Sequence, residues 1–157
     1  MPKRFSAACA RCRSEERGLV AYGRSFDVGI PGGLEVVVST STCGNCGRLT
    51  SYASSNREAE LAALRAVARS GYVSAKSFRF MRTAMRLRVK ELASALSVGV
   101  RKVSRWENEL ADVDPKAWSF LARLAFEHLA GEPEPRTRSV VAVEPPAHLP
   151  EGATAKA

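Results

Sequence analysis

Residues 98–109 read VGVRKVSRWENE, and the role given to this stretch decides the fold. Arg101, Lys102 and Arg105 fall within five positions, Val103 and Trp106 are interleaved with them, and the acids come only at the end. At helical spacing Val103 and Trp106 share one side. Arg101 and Arg105, one turn apart, share another, with Lys102 and Ser104 flanking them. Two readings fit: a solvated amphipathic helix, or a helix that lies in the major groove of DNA. The second requires an apolar side that holds the helix rigid and a donor-rich side that meets base edges. The planar fork of arginine can donate to guanine O6 and N7 together, and a good bidentate pair discriminates by about 1–3 kcal/mol. Lys102, Arg88 and Lys90 are better suited to phosphates, which position a protein on DNA without specifying sequence.

The flanking sequence predicts a bundle of short helices. Ser74 can cap AKSFRFMRTAMR, which carries Phe78, Met81 and Met85 on one side. VKELASALS follows with Val89, Leu92, Ala93 and Leu96 inward, the VGV segment turns the chain, and residues 100–108 form the next helix. Two short helices joined by such a turn make a helix-turn-helix candidate. Asp114 and Pro115 then supply a cap and a first-turn proline for PKAWSFLARLAFEHLAG, with Trp118, Leu121, Leu124, Ala125 and Leu129 as its core stripe and Gly131 as its end. Glu107 has the reach to pair with Arg82 on the first of these helices and brace the motif. Trp106 is expected in the core rather than stacked on a base.

Towards the N-terminus the chemistry changes. The four cysteines, Cys9, Cys12, Cys43 and Cys46, form two C-x-x-C pairs separated by thirty residues. A two-residue gap lets one tight knuckle aim two sulfurs at one ion, and four thiolates around Zn²⁺ at about 2.3 Å make a closed structural site. One zinc per chain is therefore expected. A thiol-redox pair is the competing reading, but it needs a βαβ setting that neither pair has; disulfides and unrelated thiols remain as further alternatives. Gly44 and Gly47 suit the second knuckle, whereas the first carries Arg11 and Arg13 where small residues fit more easily. Between the pairs, LVAYGRSFDV, the turn signal IPGG and β-branched LEVVVST predict a hairpin that returns the second knuckle to the first. So small a module has little core of its own, and metal is expected to supply much of its folding free energy. Next, NREAELAALRAVARS reads as a helix with Leu61, Leu64, Val67 and Ala68 on one face, a Ser55–Glu58 capping box and Gly71 after its end.

The expected organisation is α+β. Residues 1–52 form a zinc-binding module with a β-hairpin, 53–74 a connecting helix, 75–131 a helix-turn-helix domain and 132–157 a disordered tail. Five of the eight prolines fall in those last 26 residues, with no periodic face. Net charge is +8, and residues 75–131 hold eleven bases against six acids, so the excess gathers around the quoted stretch. A basic domain suggests a polyanionic partner, and a generic basic surface is the alternative. The apolar runs are too short to cross a bilayer, and the basic N-terminus has no apolar segment of the kind a signal peptide needs. His128 and His148, the only histidines, are accompanied by no acid–base or nucleophile constellation, so no catalytic activity is expected.

Residues 81–109, MRTAMRLRVKELASALSVGVRKVSRWENE, resemble the Xre-type (lambda-repressor-like) helix-turn-helix. Arg82, Leu87, Glu91, Leu92, Ala93, Leu96, Val98, Val103, Ser104, Arg105, Trp106, Glu107 and Asn108 fit its pattern. Together with the N-terminal double C-x-x-C module, the chain looks like the MqsA/YgiT-type zinc-binding antitoxins over about residues 9–130. It departs from the pattern at Val89 for the usual phosphate-contacting Gln and at Arg88 for the Ser/Thr cap. Arg86, Ser97 and Glu109 stand where the pattern has glycines. The resemblance implies a cytoplasmic bacterial protein, associated with the nucleoid when bound to DNA, that dimerises through its helix-turn-helix domain and represses its own operon. It implies a palindromic double-stranded operator, base reading by Arg101 and Arg105, and a zinc module that binds a ribonuclease toxin. A stand-alone regulator without a toxin, a metal or redox sensor, and a protein-interaction adaptor that has lost DNA binding are the alternatives.

Overall fold

β-Branched Val36, Val37, Val38, Thr40 and Thr42 favour an extended second strand in the first element pair. β1 (Arg17–Phe26) and β2 (Leu34–Cys43) form an antiparallel hairpin in the register Arg17 with Cys43 through Phe26 with Leu34. At the tip, Pro31 and Gly32 occupy the centre of a turn closed by the Gly33 N–H on the Ile30 carbonyl at 2.9 Å, and Gly32 has φ +82°, as a proline–glycine pair favours. Leu34, Val36, Val38 and Thr40 of β2 point to the buried side. The computed structural model describes residues 8–49, 52–132 and 137–142.

Against that side lies α1 (Tyr52–Ser70), which presents Ala59, Leu61, Ala62, Ala63, Leu64, Val67 and Ala68 to the core. The helix starts earlier than the expected Ser55 cap. Ser55 is instead buried inside the helix and donates to Thr40 Oγ1 at 2.7 Å, satisfying two buried hydroxyls across the sheet–helix interface. α1 also packs on α2 and α5, so the expected connector is the central element of the molecule.

Four further helices follow: α2 (Ala75–Ala84), α3 (Val89–Ala95), α4 (Val100–Glu107) and α5 (Pro115–Ala130). Ser74 caps α2 reciprocally with Ser77, and Asp114 caps α5 by accepting the Lys116 N–H. Phe78, Met81, Leu92, Ala93, Val103, Trp106, Trp118, Leu121, Ala125 and Leu129 are buried, as their spacing predicts, and Val89, Leu96 and Leu124 are partly so. One apolar cluster runs without a break from Val36 and Val38 of the sheet through α1 to the helices. The hairpin is further seated on α2 by the Phe26–Phe80 edge contact at 5.6 Å and by Lys76 donating to Asp27 at 2.7 Å. The view of residues 1–52 as a nearly coreless unit is thereby revised: the hairpin borrows its core from the helices, because β2 has one apolar face and α1 covers it.

The tail expectation is corrected for six residues. Thr137–Ala142 form β3, antiparallel to β2 and leaving β2 central in a sheet of order β1-β2-β3. Proline density hid a short β-branched run, TRSVVA, that finds the open edge of β2. The rest of the proposed tail beyond Glu132 lies outside the described residues.

Candidate functional site

The two candidate sites named from sequence, the cysteines and α4, belong to different elements. The hairpin register sets Cys43 opposite Arg17, just past the first knuckle, and the Gly44 N–H donates to the Glu16 carbonyl at 3.0 Å. A Cβ at Gly44 would come within 3.1 Å of Glu16 Cβ, so a side chain there would have to push Glu16 aside. The knuckles are built alike. Cys9 N–H donates to Ser14 at 3.0 Å and Cys43 N–H to Arg48 at 2.9 Å; in return Arg13 and Gly47 donate to the Cys9 and Cys43 carbonyls at 2.7 and 2.9 Å. Both closing residues have positive φ, Arg13 at 59° and Gly47 at 70°. The first knuckle thus forces an arginine into a conformation glycine adopts without cost.

All four sulfurs lie within 4.8 Å of one another, with Cys9–Cys46 at 3.6 Å and Cys12–Cys43 at 3.4 Å. Sulfurs at about 2.3 Å from a tetrahedral ion are about 3.8 Å apart, whereas a disulfide requires about 2.05 Å. The cluster therefore fits a metal ion and contains no disulfide. Its electrostatics agree. The N–H groups of Cys12 and then Arg11 donate to the Cys9 sulfur and lower its thiol to about 6. Cys43 is lowered chiefly by the Cys46 N–H. Cys46 accepts the Arg48 N–H, yet burial and the three facing thiols push it up to about 11. Four sulfurs this close cannot all carry charge unless a cation joins them, and the backbone donors already stabilise part of that charge.

The second site is α4. Val103 is fully buried and Trp106 nearly so, the indole meeting Phe78 of α2 edge-on at 5.8 Å. The expected brace is present: Arg82 donates from Nε to Glu107 Oε1 at 2.5 Å and from Nη2 to Oε2 at 3.0 Å, while its Nη1 holds the Leu87 carbonyl at 2.8 Å. One guanidinium thus ties α2, the turn after it and α4 together, at 11% and 7% side-chain exposure for the two partners. On the opposite side Arg101, Lys102, Ser104 and Arg105 are all exposed. The Lys102 ammonium lies 5.5 Å over the Trp106 ring, and an open cleft of about 470 Å³ runs along Gly99, Arg101, Lys102, Arg105, Trp106 and Ala111. Arg88 and Lys90, at the start of α3, are exposed as well. The cap missing from the sequence pattern at Arg88 is half replaced, because the Glu91 carboxylate accepts the Arg88 N–H at 2.7 Å.

The three glycine departures have a structural counterpart. Arg86, Ser97 and Glu109 take φ of 61°, 54° and 59°. Each follows a helix end at which two successive N–H groups turn back: Arg86 to Thr83 and Leu87 to Arg82, Ser97 to Ser94 and Val98 to Ala93, Glu109 to Trp106 and Leu110 to Arg105. These are left-handed helix ends of the kind glycine serves best. Sequence reading found the substitutions but not that the backbone keeps the glycine conformation. It also placed Asn108 in the pattern without its contact, a donation to the carbonyl and hydroxyl oxygens of Ser104 at 2.7 and 3.2 Å, and gave no role to Arg57. The latter joins Glu60, the Ala84 carbonyl and His128 Nε2 at 2.7, 2.8 and 3.3 Å, giving that histidine a structural tie.

Family models, curated proteins and solved structures were compared with the chain, and none matches it. Among the described residues no helix is long and apolar enough to cross a membrane.

Proposed function

We propose that this chain is a sequence-specific DNA-binding transcriptional repressor of the antitoxin type, with α3 and α4 as a helix-turn-helix and one structural zinc held by Cys9, Cys12, Cys43 and Cys46. The observation that carries the reading is the division of α4 into two sides. Val103, Trp106 and the Arg82–Glu107 pair fix one; Arg101, Lys102, Ser104 and Arg105 are exposed on the other. Arg101 and Arg105 read base edges, and Lys102, Arg88 and Lys90 contact phosphates. A two-fold dimer sets its reading helices about 34 Å apart on a palindromic operator. Affinity falls steeply with salt as phosphate contacts release counterions. The protein works in the bacterial cytoplasm, on the nucleoid when bound to DNA, and is not an enzyme. Its zinc module docks a partner protein, a toxin if a small toxin-like reading frame adjoins the gene.

A binding selection from a random library at physiological salt tests this reading. The wild type enriches one palindromic motif, and the double variant Arg101→Ala with Arg105→Ala loses it. The same motif from both proteins removes these residues from base reading. No enrichment by the wild type leaves the chain as a protein-interaction adaptor.

A further inference from the structure

Ser104 stands on the exposed side of α4 beside Arg101 and Arg105, and its hydroxyl is held unlike those of Thr83 and Ser119. Thr83 Oγ1 donates to the Arg79 carbonyl at 3.0 Å and Ser119 Oγ to the Pro115 carbonyl at 2.9 Å, so each spends its proton on the preceding turn. Ser104 does not. Its carbonyl lies 2.7 Å from the side-chain amide of Asn108, and a carbonyl only accepts, so the atom facing it is the amide nitrogen. The same nitrogen lies 3.2 Å from Ser104 Oγ and has no lone pair with which to accept. Ser104 Oγ must therefore accept there. Among the described residues no protein group takes its proton, which is left to point outward.

We infer that Asn108 is a positioning residue that occupies one lone pair of the Ser104 hydroxyl and so keeps its proton available as a donor towards DNA, beside the donors of Arg101 and Arg105. This rests on the proposed DNA reading by α4. Arg101 and Arg105 can only donate, and the Glu107 carboxylate on the same helix is turned into Arg82. Such a donor favours base edges that accept (guanine N7 and O6, adenine N7 or thymine O4 at the Ser104 position) over the donor-only edge of cytosine.

The selection is run on the full-length wild type, Ser104→Ala, Asn108→Ala and Asn108→Asp, with thermal melts of each. Ser104→Ala relaxes one position of the motif and so identifies it. Asn108→Ala frees the hydroxyl to turn back on its own helix, and the preference for an accepting edge over cytosine at that same position drops about fivefold, the worth of one neutral hydrogen bond. Asn108→Asp accepts the hydroxyl proton, turns the Ser104 lone pairs outward and moves the preference towards cytosine. A residue that merely ends the helix lowers affinity or melting temperature without changing base preference. Wild-type preferences retained by both Asn108 variants, or a Ser104→Ala protein that relaxes no position, overturn the inference while leaving α4 as the reading helix. A wild type that enriches nothing overturns the DNA reading itself.

Discussion

Arg13, Arg86, Ser97 and Glu109 each hold a positive φ that side chains with a Cβ resist. The left-handed conformation costs such residues about 1–2 kcal/mol, while glycine takes it freely but loses more entropy on folding. Glycine at Arg86, Ser97 or Glu109 should stabilise the protein by about 0.5–1 kcal/mol per site, read as a shift of the denaturation midpoint at unchanged slope. Alanine at Ser97 should bring no gain, because it keeps the Cβ. The gains should add, since the three turns share no hydrogen bond. A destabilising Ser97→Gly would show that the Ser97 side chain makes a contact outweighing the strain. These positions were visible in the sequence as departures from a pattern. The strain itself was not, because residue identity does not fix φ where two hydrogen bonds at a helix end impose it.

At the scale of elements, two of the ion pairs that join distant segments differ in kind. Arg82 and Glu107 are almost wholly buried and share two hydrogen bonds, so removing one partner strands the other's charge. Arg82→Ala or Glu107→Ala should each cost about 3–5 kcal/mol in chemical denaturation. The double variant should cost less than the sum, and a coupling energy of zero would dismiss the brace. Lys76 and Asp27 join α2 to the hairpin in the open, at 52% and 75% side-chain exposure. Asp27 is held below the ordinary carboxylate range by the Lys76 hydrogen bond first, then by the Gly29 N–H. A lowered carboxylate contributes above its ordinary value and stops contributing as pH falls through the lowered one. Asp27→Asn should therefore melt slightly below wild type at neutral pH, and the two should converge in acid. A gap as large as that for Glu107→Ala would refute the ranking by burial. The Arg82–Glu107 pair was predictable from sequence, being four residues' worth of pattern brought together by known helix order. The Asp27–Lys76 pair was not, because it depends on how the hairpin sits on α2.

For the whole molecule, the question is what the cysteine cluster contributes. The hairpin shares the helices' core, so metal removal should loosen the knuckles first and leave the helical core folded. A chelator should lower the melting temperature of the protein while far-ultraviolet circular dichroism at room temperature keeps most of its helical signal. Loss of the whole helical signal would show that the metal holds up the entire fold. Rebinding of Zn²⁺ at pH 7 should release protons. Cys9, at about 6, is already largely thiolate there, whereas Cys46, at about 11, must lose its proton to the metal. Affinity should fall as pH drops, since protons then compete for every sulfur. Calorimetry in two buffers of different ionisation enthalpy checks the release, and identical heats would contradict it.

By itself the amino-acid sequence determined most of the elements and the composition of both candidate sites. Hairpin alternation, helical periodicity, the Ser74 and Asp114 caps and the double C-x-x-C spacing are local signals, legible wherever a repeat of two or 3.6 residues meets a buried face. Only the tertiary structure decided that α1 is the centre rather than a connector, that Ser55 faces Thr40 instead of capping, and that residues 137–142 complete the sheet. It also decided that Asn108 turns back to Ser104. Those outcomes depend on which surface meets which, and burial between distant segments leaves no period in the chain that makes it.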